Sequence, residues 1–172
     1  MNFKTIQLSV EGPRATLLLN RPENRNGMTN RMVREAHEAL TAVANDSNVR
    51  VLLLTGAGSS FCPGADLNQI GKPSNDPQES CEQVHFQVPV LLHEMPQLTL
   101  AAVNGACAGA GFGWACGCDI RVACETAMFN TAFLNVALAG DMGLPWSLPR
   151  LVGAAKAREL SFFTQKFDAR EA

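Results

Sequence analysis

Fifteen residues, "GACAGAGFGWACGCD" from 105 to 119, hold five Gly, four Ala and three Cys. Main chain this bare lets another group approach it closely, because no branched side chain stands in the way. Asn104–Gly105 is a strong turn pair, so a strand ends there and a helix starts near Gly109 or Ala110. The N–H groups of a helix start lack intrahelical partners and carry partial positive charge, which suits an anionic oxygen. A second Gly-rich turn, ending at Gly64–Ala65, offers another set. Helix starts that follow neighbouring strands of a parallel sheet converge at the carboxyl ends of those strands. Two convergent N–H donors form an oxyanion hole, which favours an enolate or tetrahedral oxyanion over the ground-state carbonyl. Close helix-to-sheet packing also uses Gly and Ala, so composition alone leaves both uses open. A dinucleotide loop fits poorly: "GAGSSF" lacks the third glycine of G-x-G-x-x-G, "GAGFG" misplaces it, and no Walker lysine follows.

The surrounding pattern supplies the elements that would position such donors. "TIQLSV" and "ATLLLN" are short β-type runs on either side of the turn "EGPR", which predicts a hairpin. Met32, Val33, Ala36, Leu40, Val43 and Ala44 recur at three-to-four spacing and predict a helix capped by Thr29 or Asn30. "VRVLLLTG" reads as a strand covered on both faces. Asp66 and Gln69 stand in capping-box relation ahead of a helix, and "GKPSNDPQES" (71–80) reads as a mobile surface loop. A helix to about Glu94, the strand "LTLAAVN", the Gly/Ala stretch and the β-type run "DIRVACE" follow, then a helix over "GAAKARELSFF". Strand, Gly-rich turn and helix thus occur twice, which predicts an α/β fold with a largely parallel sheet. Asp168 and Glu171 form a helix-start signal with no helix after it, so the sequence reads as part of a longer chain.

With 172 residues and a net charge of -2, the chain suits one domain over 1–172 and lacks the basic footprint of a nucleic-acid binder. No C-x-x-C pair offers metal spacing, and Cys107, Cys116, Cys118 and Cys124 read as small buried thiols. The opening residues carry no basic segment followed by an apolar run, and a cytoplasmic location is expected. Met95 to Cys118 is uncharged and long enough to cross a bilayer, for which about 20 apolar residues suffice. Pro96, Gln97, Asn104 and five glycines divide it, so it reads as a buried strand and helix rather than a membrane span.

Five blocks, in order, resemble one family: "NRPENRNGMT" (20–29), "GAGSSFCPGADL" (56–67), "AAVNGACAGAG" (101–111), "CDIRVA" (118–123) and "LPRLVGAAKAREL" (148–160). They are similar to successive signatures of the crotonase superfamily, the enoyl-CoA hydratases and isomerases. The resemblance implies a spiral of ββα units forming the N-terminal core, with the C-terminal trimerisation helices beyond the sequence. It also implies an acyl-CoA or enoyl-CoA thioester as substrate, coenzyme A entering as part of that substrate and no other cofactor, no metal, and assembly as a homotrimer or hexamer. The thioester oxygen would be held by two backbone N–H groups that map onto Ala65 and Ala110. The second place is more often glycine; alanine keeps the donor but its methyl narrows the approach. Arg25, Gly64, Asp66 and Leu67 match positions that line the CoA moiety.

The departures from that family pattern bear on the reaction. The two glutamates with which hydratases activate water fall on Gly113 and Phe133, neither of which accepts a proton. Asp141 falls where isomerase and dehalogenase branches carry an acidic residue facing substrate. Beside an apolar pocket with candidates Phe112, Gly113, Trp114, Phe133 and Trp146, its pKa would rise by desolvation, favouring a proton shuttle; it also reads as a turn or cap residue. His37, His85 and His93 read as helical histidines, with His85 nearest the loop. Double-bond migration is therefore expected over hydration. The other reading is a CoA-thioester-binding scaffold that has lost catalysis.

Overall fold

The computed structural model describes residues 2–69, 77 and 80–172. Strands β1 (Ile6–Glu11) and β2 (Arg14–Leu19) form the expected antiparallel hairpin, turned at Gly12, whose φ of +57° favours glycine. Helix α1 (Asn30–Ala44) packs Met32, Val33, Ala36, Leu40 and Val43 into the core. Thr29 is its cap: the hydroxyl accepts from the Met32 N–H at 3.2 Å. Thr29→Ala is expected to cost about 1 kcal/mol, read as a fall in the midpoint of denaturant unfolding.

The chain then alternates between two sheets. Strand β3 (Val51–Gly56) pairs parallel with β2, and a corner leads to the short strand β4 (Ser60–Cys62). Past helix α2 (Val88–Glu94), strand β5 (Leu98–Val103) returns to the first sheet and β6 (Ala106–Ala108) to the second. Helix α3 (Gly109–Gly117) follows, then β7 (Ile120–Ala123) and β8 (Met128–Asn130) repeat the step. The large sheet has the order β1-β2-β3-β5-β7. The small one runs β4-β6-β8-β9, with β9 (Phe167–Asp168) antiparallel to β8. The architecture is a spiral of ββα units, as the resemblance implied.

The short second strand of each unit has no signal of its own. Residues 57–65 and 104–109 read as turns because three-residue strands show no alternation and are held by parallel partners more than twenty residues away. Glycine makes the corner: a Cβ at Gly105 would stand 2.0 Å from the Ser59 carbonyl oxygen. Strand β3 also differs from expectation. Leu52 and Leu54 are fully buried whereas Val51, Leu53 and Thr55 are half-buried, so only one sheet face belongs to the main core.

Helix α4 (Leu144–Phe162) starts nine residues before the expected one and is broken at Gly153, where φ is +78°. Cys62, Cys107, Cys116 and Cys118 are buried thiols, and burial pushes Cys62, Cys116 and Cys118 up to about 12. Cys124, expected among them, is exposed, because β7 is an edge strand and its end faces outward. The uncharged run 95–118 is a strand pair and a buried helix. Among the described residues no helix is long and apolar enough to cross a membrane. The Asp168 carboxylate accepts from the N–H groups of Arg170 and Glu171 at 3.0 and 2.9 Å, as its capping pattern predicts.

Candidate active site

The two Gly-rich corners meet. Gly64 sits at φ +104°, and a Cβ there would lie 3.1 Å from the Ala108 carbonyl oxygen and 3.6 Å from the Ala110 nitrogen. Glycine at 64 therefore lets one loop rest on the start of the next helix. Around this contact lies a cleft of about 110 Å³, lined by Gly64, Ala65, Leu67, Gly109, Ala110, Phe133 and Asp141, and also by Val136 and Leu138.

Local hydrogen bonding decides where the amides face. Met28 forms a parallel bridge to Ala65: its N–H donates to the Gly64 carbonyl and its carbonyl accepts from the Asp66 N–H, both at 2.8 Å. In that pattern Ala65 turns its own N–H away from Met28. Ala110 is the second residue of α3, inside the first turn, where no carbonyl of the helix is available to it. Among the described residues neither N–H donates to a protein acceptor.

Asp141 opens a turn closed by the Leu144 N–H donating to the Asp141 carbonyl at 3.0 Å. The turn reading is therefore met by its backbone, while its carboxylate takes no part in capping α4, whose N-cap is Gly143. The residue is open to the cleft, and protein packed behind the carboxyl raises its pKa by desolvation. The turn approaches α3 only because residue 113 is glycine: a Cβ at Gly113 would stand 2.4 Å from the Met142 carbonyl oxygen. Lack of a side chain at 113 and the placement of Asp141 are thus one packing event.

Phe133 lines the cleft as expected; Phe112, Gly113, Trp114 and Trp146 do not. Every residue of α3 is buried, and only its first turn reaches the cleft. Phe112 packs against Phe129 and Phe167 with ring centroids 5.7 and 5.9 Å away, and Gly113 lies against Met142. Trp114 has no exposed surface, and its indole N–H has no partner among the described residues. Trp146 is exposed on α4, between the Arg150 guanidinium at 3.9 Å and the His93 ring at 5.0 Å, over a separate hollow against α2.

Leu67 is 62% exposed at the mouth of the cleft and Arg25 is exposed on the segment before Met28. The Asp66 carboxylate is engaged inside the protein, on the Arg21 guanidinium at 3.0 Å and the Asn68 N–H at 3.1 Å. Residues 66–69 form a turn, and the helix expected beyond lies outside the described residues, as does most of the loop 71–80. His85 accepts from the Glu82 N–H and meets the His37 ring at 5.4 Å. Burial, then the neighbouring His85, lowers the His37 pKa. None of the three histidines lines the cleft. Among the described residues no group of three His, Cys, Asp or Glu can hold a metal ion.

Sequence reasoning missed Val136 and Leu138 in the wall, and Arg21 and Asn26 behind it. No spacing signals Arg21, whose partner lies 45 residues away. Asn26 carried a faint one, in Asn-Gly. It adopts φ +62°, is fully buried, and bonds the Arg21 N–H and the carbonyls of Ala57 and Ser60.

Residues 14–172 match the family model described as enoyl-CoA hydratase/isomerase. The chain is 39% identical over 161 residues to the 1,2-epoxyphenylacetyl-CoA isomerase of Escherichia coli, covering 91% of itself and 62% of that relative. A protein of Thermobifida fusca assigned to the enoyl-CoA hydratases, solved with acetoacetyl-CoA, is 30% identical with a TM-score of 0.90, over 98% of this chain and 69% of that one. The enoyl-CoA hydratase of Bacillus anthracis is 30% identical with a TM-score of 0.85, over 98% and 66%. The chain thus spans under two thirds of the length of its curated Escherichia coli relative.

Proposed function

This chain belongs to the enoyl-CoA hydratase/isomerase family, and from that premise we propose that it moves a double bond in an acyl-CoA thioester bound in the cleft. The thioester oxygen accepts from the N–H groups of Ala65 and Ala110. Asp141 takes a proton from one carbon, the electron pair of the broken C–H bond delocalises onto the thioester oxygen as an enolate, and the same carboxyl returns the proton to another carbon. No oxidant or water is consumed. The two amides bind the enolate more tightly than the ground-state carbonyl, which lowers the barrier to proton removal.

The observation that carries this reading is that Asp141 lines one cleft with Ala65 and Ala110, whose N–H groups bond no protein acceptor among the described residues. Isomerisation is favoured over hydration because the places of the hydratase glutamates are Gly113 and Phe133, so no second carboxylate stands there to hold a water. Leu67 and Arg25 are the groups we assign to the CoA moiety; Asp66 is left out, its carboxylate being engaged by Arg21. The 1,2-epoxyphenylacetyl-CoA isomerase and acetoacetyl-CoA complex among the relatives support a CoA thioester as the substrate class.

Asp141→Asn tests the assignment. Its turnover of an enoyl-CoA is expected to fall about 10²–10⁴-fold, the usual worth of a positioned acid–base group. In the unaltered protein, kcat rises with pH as Asp141 deprotonates. Burial raises its pKa, so that limb lies above the ordinary value of 3.8, and it vanishes in Asp141→Asn. Exchange of the α-hydrogen of a bound acyl-CoA for deuterium separates enzyme from scaffold: a pure binder leaves that hydrogen in place, which would overturn the proposal.

A further inference from the structure

Arg21 bonds none of the residues assigned to substrate, yet its guanidinium grips residues on both sides of the Met28–Ala65 bridge. Its guanidinium forms a fork: Nη2 reaches Asp66 Oδ2 at 3.0 Å while Nη1 donates to the Gly27 carbonyl. Both partners flank the bridge that orients Ala65, since Met28 follows Gly27 and Asp66 follows Ala65. The Arg21 side chain is 13% exposed and that of Asp66 8%, so the pair is sheltered from solvent competition. The Arg21 N–H donates to Asn26 Oδ1 at 2.9 Å, and Asn26 is anchored in turn on Ala57 and Ser60. Gly27 permits the close approach, because a Cβ there would lie 3.3 Å from the Asp66 Cβ.

Besides these bonds, the loop holding Ala65 rests through Gly64 on the start of α3. Residues 63–69 form no helix or strand beyond the single bridge to Met28, and Ala65 itself is exposed. The Ala65 N–H shares a peptide plane with the Gly64 carbonyl, so its direction follows the two Met28 bonds of the bridge, and these hold only while Gly27–Met28 and Asp66 keep their relative position. We infer that Arg21 is a positioning residue, which holds the Ala65 N–H toward the cleft by gripping Asp66 and Gly27 on either side of the Met28–Ala65 bridge. A lysine at 21 keeps the charge and loses the planar fork, so it reaches one partner but not both. The inference deepens the oxyanion reading and rests on it for its effect on turnover, while the clamp itself is a property of the loop.

The test uses Arg21→Gln, Arg21→Lys and Asp66→Asn. The first readout is the backbone amide resonance of Ala65 in the free protein, with amides of the β1–β2 hairpin as a reference for global damage. The second is the ¹³C shift of the thioester carbonyl in a bound acyl-CoA labelled at C1, together with kcat, KM and the affinity for free CoA, which has no carbonyl. Expected are a displaced and broadened Ala65 amide in Arg21→Gln and Asp66→Asn, and an unchanged hairpin. The carbonyl shift should decrease and kcat fall about 10²-fold, the scale of an ångström-sized misplacement, with CoA affinity retained. Arg21→Lys is expected to fall between these and the unaltered protein. An Ala65 amide unmoved in both Arg21→Gln and Asp66→Asn would overturn the clamp, whatever the turnover. A displaced Ala65 amide, alongside a thioester carbonyl unpolarised even in the unaltered protein, supports the clamp and removes the oxyanion reading instead. If Arg21→Gln fails to fold, Asp66→Asn and Arg21→Lys carry the same comparison.

Discussion

Replacing the Ala110 residue by lactate, so that an ester oxygen stands where the peptide N–H was, is expected to lower kcat for an enoyl-CoA about 10²–10³-fold, equivalent to roughly 3–4 kcal/mol. The change removes one donor and leaves the methyl, the cleft volume and the Ala110 carbonyl in place. It is mild for the fold because that N–H lies in the first turn of α3 and bonds no protein acceptor among the described residues. KM should move far less than kcat, since the lost interaction strengthens as charge develops on the oxygen. The same ester at Gly111, one residue further along, serves as a control for the chemistry of the replacement. Equal kcat in the Ala110 ester and the unaltered protein would remove residue 110 from the oxyanion site.

Gly113→Glu is the second large effect. By family pattern alone the substitution restores one hydratase glutamate and ought to gain water addition. Packing predicts the reverse. The new Cβ would stand 2.4 Å from the Met142 carbonyl oxygen and 3.0 Å from the Met142 Cβ, a backbone contact that no rotamer relieves. The turn bearing Asp141 must retreat from α3, at a cost of about 1–3 kcal/mol or more for overpacking. Both stability and isomerisation should fall, with no hydratase activity gained. Gly113→Ala isolates the packing part: it carries the same Cβ without the carboxylate and should lose isomerisation for the same reason. Denaturant midpoints and turnover measured on the two variants decide the matter. Hydratase activity in Gly113→Glu would mean that the turn yields and the cleft tolerates a second carboxylate.

Composition left open whether the Gly/Ala stretch serves amide presentation or close packing. The structure divides its residues between packing and the cleft. Gly105, Gly111 and Gly113 are packing positions, where a Cβ would meet the carbonyl oxygens of Ser59, Cys62 and Met142 at 2.0, 2.3 and 2.4 Å. Gly109 and Ala110 line the cleft instead. A sequence cannot divide these roles, because the groups that exclude a side chain lie on segments distant along the chain.

By itself the sequence determined what local chemistry controls. The Gly12 turn makes the hairpin, the apolar stripe and Thr29 make α1, Asn104–Gly105 ends β5, and a helix begins at Gly109. Ordered motifs were enough to identify the family and to bring Ala65, Ala110, Asp141 and Phe133 forward as candidates, and the structure places all four on one cleft. The tertiary structure alone decided the short strands of the second sheet, the exclusion of Phe112, Trp114 and Trp146 from the pocket, and the pairing of Arg21 with Asp66. Each of these depends on partners remote in the chain. A three-residue strand is stabilised by the strand beside it, Phe112 and Trp114 sit on a helix buried all round with no preferred face, Trp146 faces a different hollow set by α2, and an ion pair spanning 45 residues leaves no periodicity to read.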